Sequence, residues 1–168
     1  MGLALRDGLR AAGARVVMTR TSADVVLSSE ARALVADACG ADLFLRLHCD
    51  SSDDPGARGF CTIVPGYNEW TAPIVEPSLE AARAIHPLVV EGLGAEDRGI
   101  VERSDLAGFN FCTVPAMLFE MGFMSNPEED ALLSDPSYQR LLAGSIGRAV
   151  ARYLKSKLRQ QEVTLHQS

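Results

Sequence analysis

The hydrophobic pattern of the chain alternates between helix-like and strand-like segments. Leu3, Leu5 and Leu9 recur at roughly helical spacing and Gly13 follows, so the chain is predicted to open with a helix and not with a strand. Further helices are predicted at 30–40 after the capping pair Ser28 and Ser29, at 79–93 with a bend near Pro87, from Asn126-Pro127, and from Pro136 through Tyr153 and beyond. Strands are predicted at 15–19, 43–48, 60–64 and 117–120, with a short strand near 100–101.

This order of elements predicts a single α/β domain. Strands that alternate with helices favour three layers, with a mostly parallel central sheet flanked by helices. A length of 168 residues with 47% hydrophobic content is enough for one sizeable core. We assign residues 1–159 to the domain and residues 160–168 to a polar tail.

Composition and charge exclude several classes of function. The formal net charge is −6 and the basic residues are scattered, whereas nucleic-acid binding needs a concentrated basic surface. Apolar runs are too short to span a membrane, and the chain as given shows no signal peptide. Its four cysteines have no CxxC spacing, so zinc-knuckle and thioredoxin-like sites are not predicted.

Two polar residues stand where apolar runs end. Glu120 follows the run 114–119 and is predicted to sit where a buried strand gives way to a turn, and His48 follows the run 43–47. Strand ends are where α/β proteins gather their chemistry, and an imidazole with a carboxylate favours metal-assisted hydrolysis. Beside a zinc-bound water, Glu120 could take up a proton and return it to a leaving amine.

Each residue also has a structural alternative. A histidine at a strand end is often simply hydrogen-bonded, and a buried glutamate often forms a salt bridge, for which Arg20, Arg32 and Arg46 are the candidates here.

Four stretches, taken in order, resemble a known family. They are VMTR at 17–20, ADLFLRLH at 41–48, EDRG at 96–99 and PAMLFEMGFMSNPE at 115–128. Together they resemble the zinc-dependent N-acetylmuramoyl-L-alanine amidases of the amidase-3 type. The resemblance extends from near Leu3 to about Tyr153.

The resemblance implies a function for the site. It implies a peptidoglycan hydrolase that cleaves the amide between N-acetylmuramic acid and L-alanine, with His48 as a zinc ligand and Glu120 as the catalytic carboxylate. It also implies a location in the cell wall, outside the cell or in the periplasm. The sequence leaves open a non-catalytic remnant that binds peptidoglycan or a partner, and a cytoplasmic α/β hydrolase of another substrate class.

The chain departs from the family in two respects. Asp37 and Asp50 stand where the family usually has asparagine. Family members also begin with a strand that carries a first zinc histidine, followed by a glutamate ligand, and neither residue is found here; His86 and His166 are poor substitutes. We therefore expect weak zinc binding by this chain, and self-association through an exposed sheet edge.

Overall fold

A computed structural model of the chain describes residues 1–165. In chain order the elements are α1 (Gly2–Ala11), α2 (Ser29–Ala38), β1 (Phe44–Asp50), β2 (Phe60–Pro65), α3 (Val75–Leu93), β3 (Asp97–Arg103), α4 (Ala107–Asn110), β4 (Ala116–Phe123), α5 (Pro127–Ser134) and α6 (Pro136–Leu165).

The four strands form one mixed sheet in the order β1-β4-β2-β3. β1 is parallel to β4 and β2 is parallel to β3, whereas β2 and β4 are antiparallel. The prediction of a mostly parallel sheet is confirmed.

Helices cover both faces of this sheet. The larger core cluster joins α1, α3 and α6 to one face, through residues such as Leu5, Ile85, Ile146 and Phe119. The smaller cluster joins α2 and α4 to the other face, through residues such as Ala33, Phe109 and Leu118. The predicted three-layer domain is therefore confirmed.

β4 lies between β1 and β2 and is buried along almost its whole length. Seven of its eight residues are buried, and the exception is Glu120. Neighbouring strand residues face opposite sides of a sheet, so Leu118 joins the smaller cluster while Phe119 joins the larger one. Glu120 therefore faces the same side as Leu118, the side covered by α2 and α4.

The predicted position of Glu120 at the end of its strand is wrong. β4 continues for three further residues to Phe123. The register shifts after His48, so that Asp50 pairs with Phe123, and Gly122 has a φ of +144°. A bulge at Gly122 therefore lies within the strand where the sequence predicts a turn.

The predicted strand at 15–19 is also wrong. Residues 14–18 have no regular secondary structure, and Val17 is 51% exposed. Residues 15–20 form no backbone-to-backbone hydrogen bond within the described part of the chain. A β-branched run forms a strand only where a neighbouring strand can pair with it, and this segment has none.

The remaining differences concern element boundaries. α3 begins at Val75 instead of residue 79, and β3 runs from Asp97 to Arg103 instead of being confined to two residues. α6 continues through Leu165, so the polar segment after Arg159 is helical that far. The division into a domain at 1–159 and a tail at 160–168 stays a prediction.

Candidate active site

The sheet brings His48 and Glu120 together. The two residues are 72 positions apart in sequence, but they are register partners on the parallel strands β1 and β4. On the other side of β4, Cys61 of β2 is the register partner of Glu120. His48, Glu120 and Cys61 thus form a row across three strands, on the side of the sheet where α2 and α4 pack.

The Glu120 carboxylate is poorly stabilised in its charged form. Its Oε2 atom is buried and has no hydrogen-bond partner among residues 1–165. Burial and, to a smaller extent, the charge of Asp50 raise the pKa of Glu120, the charge of Arg46 opposes the rise, and the net result is a pKa of about 7. A carboxyl group with this pKa exchanges protons near neutral pH, which suits general acid and base chemistry.

The salt-bridge alternative for Glu120 is not realised. Within the described part of the chain, Glu120 forms no ion pair with Arg20, Arg32 or Arg46. Arg46 still attracts it through space. Because Arg46 forms no ion pair with Glu120 within residues 1–165, the carboxylate is available to interact with a ligand.

His48 lies beside this carboxylate at the carboxyl-terminal half of β1. Desolvation lowers the pKa of His48, and the charges of Arg46 and Arg32 lower it further. The neutral imidazole is therefore favoured at neutral pH, and this is the form that binds a metal ion.

Arg46 is held on the same face of β1, two residues before His48. Its guanidinium carbon lies 5.7 Å from the centre of the Phe109 ring of α4. A Cβ atom on Gly108 would lie only 2.6 Å from that carbon, so a larger residue at position 108 would displace the Arg46 guanidinium from this position. Arg46 is thereby placed to act electrostatically on both Glu120 and His48.

Glu129 braces the end of β4 against the loop before β2. Its Oε2 accepts a hydrogen bond from the backbone N–H of Phe123 at 2.7 Å, and its Oε1 accepts one from the N–H of Gly59 at 2.9 Å. These bonds fix the strand that carries Glu120 relative to the strand that carries Cys61. Apart from the acidic first turn of α5, no local sequence pattern indicates this role for Glu129.

The loop after β1 is tied to the same brace. Asn126 caps α5 through its Oδ1, which accepts from the N–H groups of Glu128 and Glu129, while its Nδ2 donates to the carbonyl of Pro55 at 3.0 Å. The Oγ of Ser125 accepts from the N–H of Ser52 at 2.9 Å. The sequence predicts a loop directly after His48. The hydrogen bonds that join this loop to Ser125 and Asn126 have no local sequence pattern.

Asp37 and Asp50, which the sequence analysis places where the family usually has asparagine, have separate roles. Asp50 accepts from the N–H of Ser51 at 2.8 Å and contributes negative charge at Glu120. Asp37 accepts from the N–H of Thr113 at 2.9 Å, which joins α2 to the segment before β4. Asp50 thus bears on the chemistry of the site, whereas Asp37 supports the fold around it.

The side chains that the structure describes do not complete a metal site. Residues 1–165 contain no group of three or more His, Cys, Asp or Glu side chains that could hold a metal ion. His86 is buried on the other side of the sheet, where its Nδ1 is 2.8 Å from Thr62 Oγ1 and its Nε2 is 2.8 Å from Asp97 Oδ1. His166 lies outside the described residues.

Fold and site together define an α/β domain with a histidine and a carboxylate side by side in the sheet. The family model for N-acetylmuramoyl-L-alanine amidase matches residues 1–164, and the chain belongs to this family. Members of the family are generally zinc-dependent. No helix within residues 1–165 is both long and apolar enough to cross a membrane.

Individual proteins that resemble this chain support the family assignment. An N-acetylmuramoyl-L-alanine amidase of Mycobacterium tuberculosis is 30% identical over 167 residues, which cover 93% of this chain and 66% of that protein. The amidase AmiC of Neisseria meningitidis is 27% identical, over 91% of this chain and 45% of that protein. The chain thus spans two thirds or less of the length of these curated relatives.

Solved structures share the fold. The crystal structure of the amidase Ami1 from Mycobacterium smegmatis superposes with a TM-score of 0.81 at 28% identity, covering 92% of this chain and 74% of that one. The catalytic domain of the amidase CwlV from Paenibacillus polymyxa gives a TM-score of 0.78 at 27% identity, covering 91% and 80%.

The raised pKa of Glu120 predicts a pH dependence of stability for the metal-free protein. An unfolded glutamate ionises near 4.5, whereas the folded one ionises at about 7, so the folded state holds an extra proton between these values. The free energy of unfolding should therefore fall as pH rises from 4.5 to about 7, by about 1–2 kcal/mol once partial solvent exposure is allowed for.

Urea unfolding of the wild type and Glu120→Gln at pH 5 and pH 8 measures this effect. The glutamine variant should gain stability relative to the wild type at pH 8 compared with pH 5. Equal pH dependence in the two proteins would contradict the assignment.

Proposed function

We propose that this chain is the amidase domain of a peptidoglycan hydrolase that cleaves the amide between N-acetylmuramic acid and L-alanine. The observation that carries the proposal is the Glu120 carboxylate, which lies beside His48 with one oxygen buried and unpartnered in a chain that belongs to the amidase family. Since this substrate is a cell-wall polymer, we place the protein outside the cell or in the periplasm.

Glu120 is the residue we assign to proton transfer. Amide hydrolysis forms a bond from the water oxygen to the carbonyl carbon, breaks the C–N bond and leaves a free amine on L-alanine. The water loses a proton and the alanine nitrogen gains one. With a pKa of about 7, the Glu120 carboxylate can accept the first proton and supply the second.

His48 is the residue we assign to metal binding, and zinc is the metal we infer from the family. A catalytic zinc site normally has three protein ligands, and the described residues supply only His48 in a suitable position. With this single ligand, we expect the chain to bind zinc only weakly.

Isothermal titration with zinc should give weak binding. A single imidazole does not retain zinc at micromolar concentration when a catalytic site needs three ligands. The His48→Ala variant is the control, because the four free cysteines can bind zinc independently of the site. Tight binding of one zinc ion per chain that is lost in His48→Ala would contradict this prediction.

The proposed activity is tested on purified peptidoglycan. Incubation with the protein and enough zinc to saturate its weak site should release stem peptides with a free amino group on L-alanine, which end-group labelling and mass spectrometry detect. Release of reducing sugar ends, or cleavage within the stem peptide, would assign the protein to a different hydrolase class.

The incomplete metal set favours one further candidate, a module that binds peptidoglycan without cleaving it. This alternative predicts that the chain is retained on insoluble peptidoglycan in a sedimentation assay and releases no alanine amino groups at any protein concentration. Retention together with release would favour the amidase instead.

A further inference from the structure

Three aromatic side chains are exposed in the segments that follow β2 and β3. Tyr67 is 77% exposed, Trp70 is 59% exposed and Phe111 is 46% exposed. Large aromatic side chains stabilise a fold mainly through the apolar area that they bury, so these three contribute little of what they could to the fold. We refer to Tyr67, Trp70 and Phe111 as the aromatic surface.

The loop that carries Tyr67 and Trp70 is held in one conformation by its own hydrogen bonds. The Oδ1 of Asn68 accepts from the backbone N–H groups of Trp70 and Thr71, each at 2.9 Å. The fully buried hydroxyl of Thr71 donates to the carbonyl of Gly66 at 2.7 Å and accepts from the N–H of Asn68 at 3.0 Å. Because the loop is ordered in advance, a ligand that binds to it does not have to order it.

The side chain of Asn68 also joins this loop to α4. Its Nδ2 donates to the Oδ1 of Asn110 at 3.0 Å and to the carbonyl of Ser104 at 2.9 Å. Asn110 directly precedes Phe111 in the chain. The contact therefore brings the third aromatic residue beside the loop that carries the other two.

The aromatic surface lies apart from the row that contains Glu120. Cys61 is the register partner of Glu120, and Pro65 ends β2 four residues beyond Cys61, which corresponds to roughly 13 Å at the rise of a strand. Helix α4 reaches both regions, because Phe109 packs in the core cluster beside β4 and Asn110 contacts the loop. A ligand that contacts both regions is therefore a chain of several units.

The charges around the aromatic surface disfavour an anionic ligand. Glu69 is exposed and directly precedes Trp70 in the loop. The carboxylate of Asp105 pairs with Arg103 at 2.6 Å, so this cation is already neutralised. An uncharged sugar meets no such repulsion, and the C–H groups on one face of its ring can pack against the negative face of an aromatic ring.

We propose that the aromatic surface is a second binding site for peptidoglycan, where Tyr67 and Trp70 stack on amino-sugar rings of the glycan strand. The choice of this glycan rests on the proposed function. A protein partner fits less well, because Asn68 and Glu69 separate the two rings, whereas the core of a protein interface is a continuous apolar area. The site keeps the polymer bound at a distance from Glu120.

The fluorescence of Trp70 tests the proposal directly, because Trp70 is the single tryptophan of the chain. Titration with the tetramer of N-acetylglucosamine should change its emission saturably. This tetramer carries no stem peptide, so the result does not depend on amidase activity, and the two proposals can fail separately. Emission that stays constant at every soluble concentration of the tetramer would overturn the proposal.

Substitutions in the aromatic surface give a second measurement. Tyr67→Ala should weaken binding of the tetramer by about 2–10-fold, because one stacking contact is lost. Leu158→Ala removes an apolar side chain of comparable exposure from α6 and should leave the affinity unchanged. In isothermal titration, Trp70→Phe should bind more tightly than Trp70→Ala, because phenylalanine keeps a ring. Equal affinities in Tyr67→Ala and Leu158→Ala would contradict the assignment.

Two control titrations separate other occupants of the aromatic surface. A stem peptide without sugar that changes the Trp70 emission as strongly as the tetramer would overturn the proposal and assign the surface to peptide binding. Emission that changes with protein concentration in the absence of sugar would also overturn it, and would assign the surface to self-association.

Discussion

Replacing Glu120 by glutamine is expected to lower the rate at which stem peptides with a free alanine amino group are released from peptidoglycan by roughly 10²–10⁴-fold, the range that proton transfer by a positioned side chain contributes. Glutamine matches the shape of glutamate but neither accepts nor supplies a proton near neutral pH. Rates of end-group release under single-turnover conditions, with protein in excess over substrate, measure the loss at the chemical step.

The matched control is Glu128→Gln, the same substitution at an exposed position. Glu128 pairs with Arg58 at 3.1 Å at the surface, so its neutralisation should leave the rate unchanged. The Glu120→Gln variant should also keep its affinity for peptidoglycan in the sedimentation assay. A variant that retains the wild-type rate would remove Glu120 from the mechanism, and a variant that no longer sediments would assign it to binding.

The location of Glu120 in a buried strand could be predicted because a charge is rarely left in an apolar run without a reason. The bulge that follows Glu120 and the residue that lies beside it could not be predicted. The bulge at Gly122 depends on how β4 pairs with β1. The paired residues His48 and Glu120 are 72 positions apart, so their pairing leaves no local pattern in either segment. Cys61 was missed for the same reason, because its place beside Glu120 follows from the antiparallel pairing of β2 with β4.

The failed strand at 15–19 has a different cause. Val16 and Val17 are β-branched, a residue type that is common in strands. Such residues form a strand only where a neighbouring strand pairs with them. In this structure the neighbouring space is a cleft beside β1. The local pattern predicted a buried strand and does not encode whether a partner strand is present; residues 14–18 have no regular secondary structure.

Replacing Glu129 by alanine is expected to destabilise the fold by roughly 3 kcal/mol, because it removes two hydrogen bonds from a carboxylate to backbone N–H groups. The N–H groups of Phe123 and Gly59 lose their acceptor, and both hydrogen bonds are partly buried. For a domain of this size the loss corresponds to a fall in Tm of roughly 6–12 °C, which calorimetry can measure.

The effect should be specific to the brace and not to acidic residues of α5 in general. Glu128→Ala removes the neighbouring carboxylate, which is exposed and forms a single surface ion pair, and should lower the stability by less than about 1 kcal/mol. Exchange of the Phe123 and Gly59 amides should accelerate in Glu129→Ala and stay slow in Glu128→Ala. If both variants were equally stable, the carboxylate of Glu129 would not hold β4 against the loop before β2, and the position of Glu120 would depend on strand pairing alone.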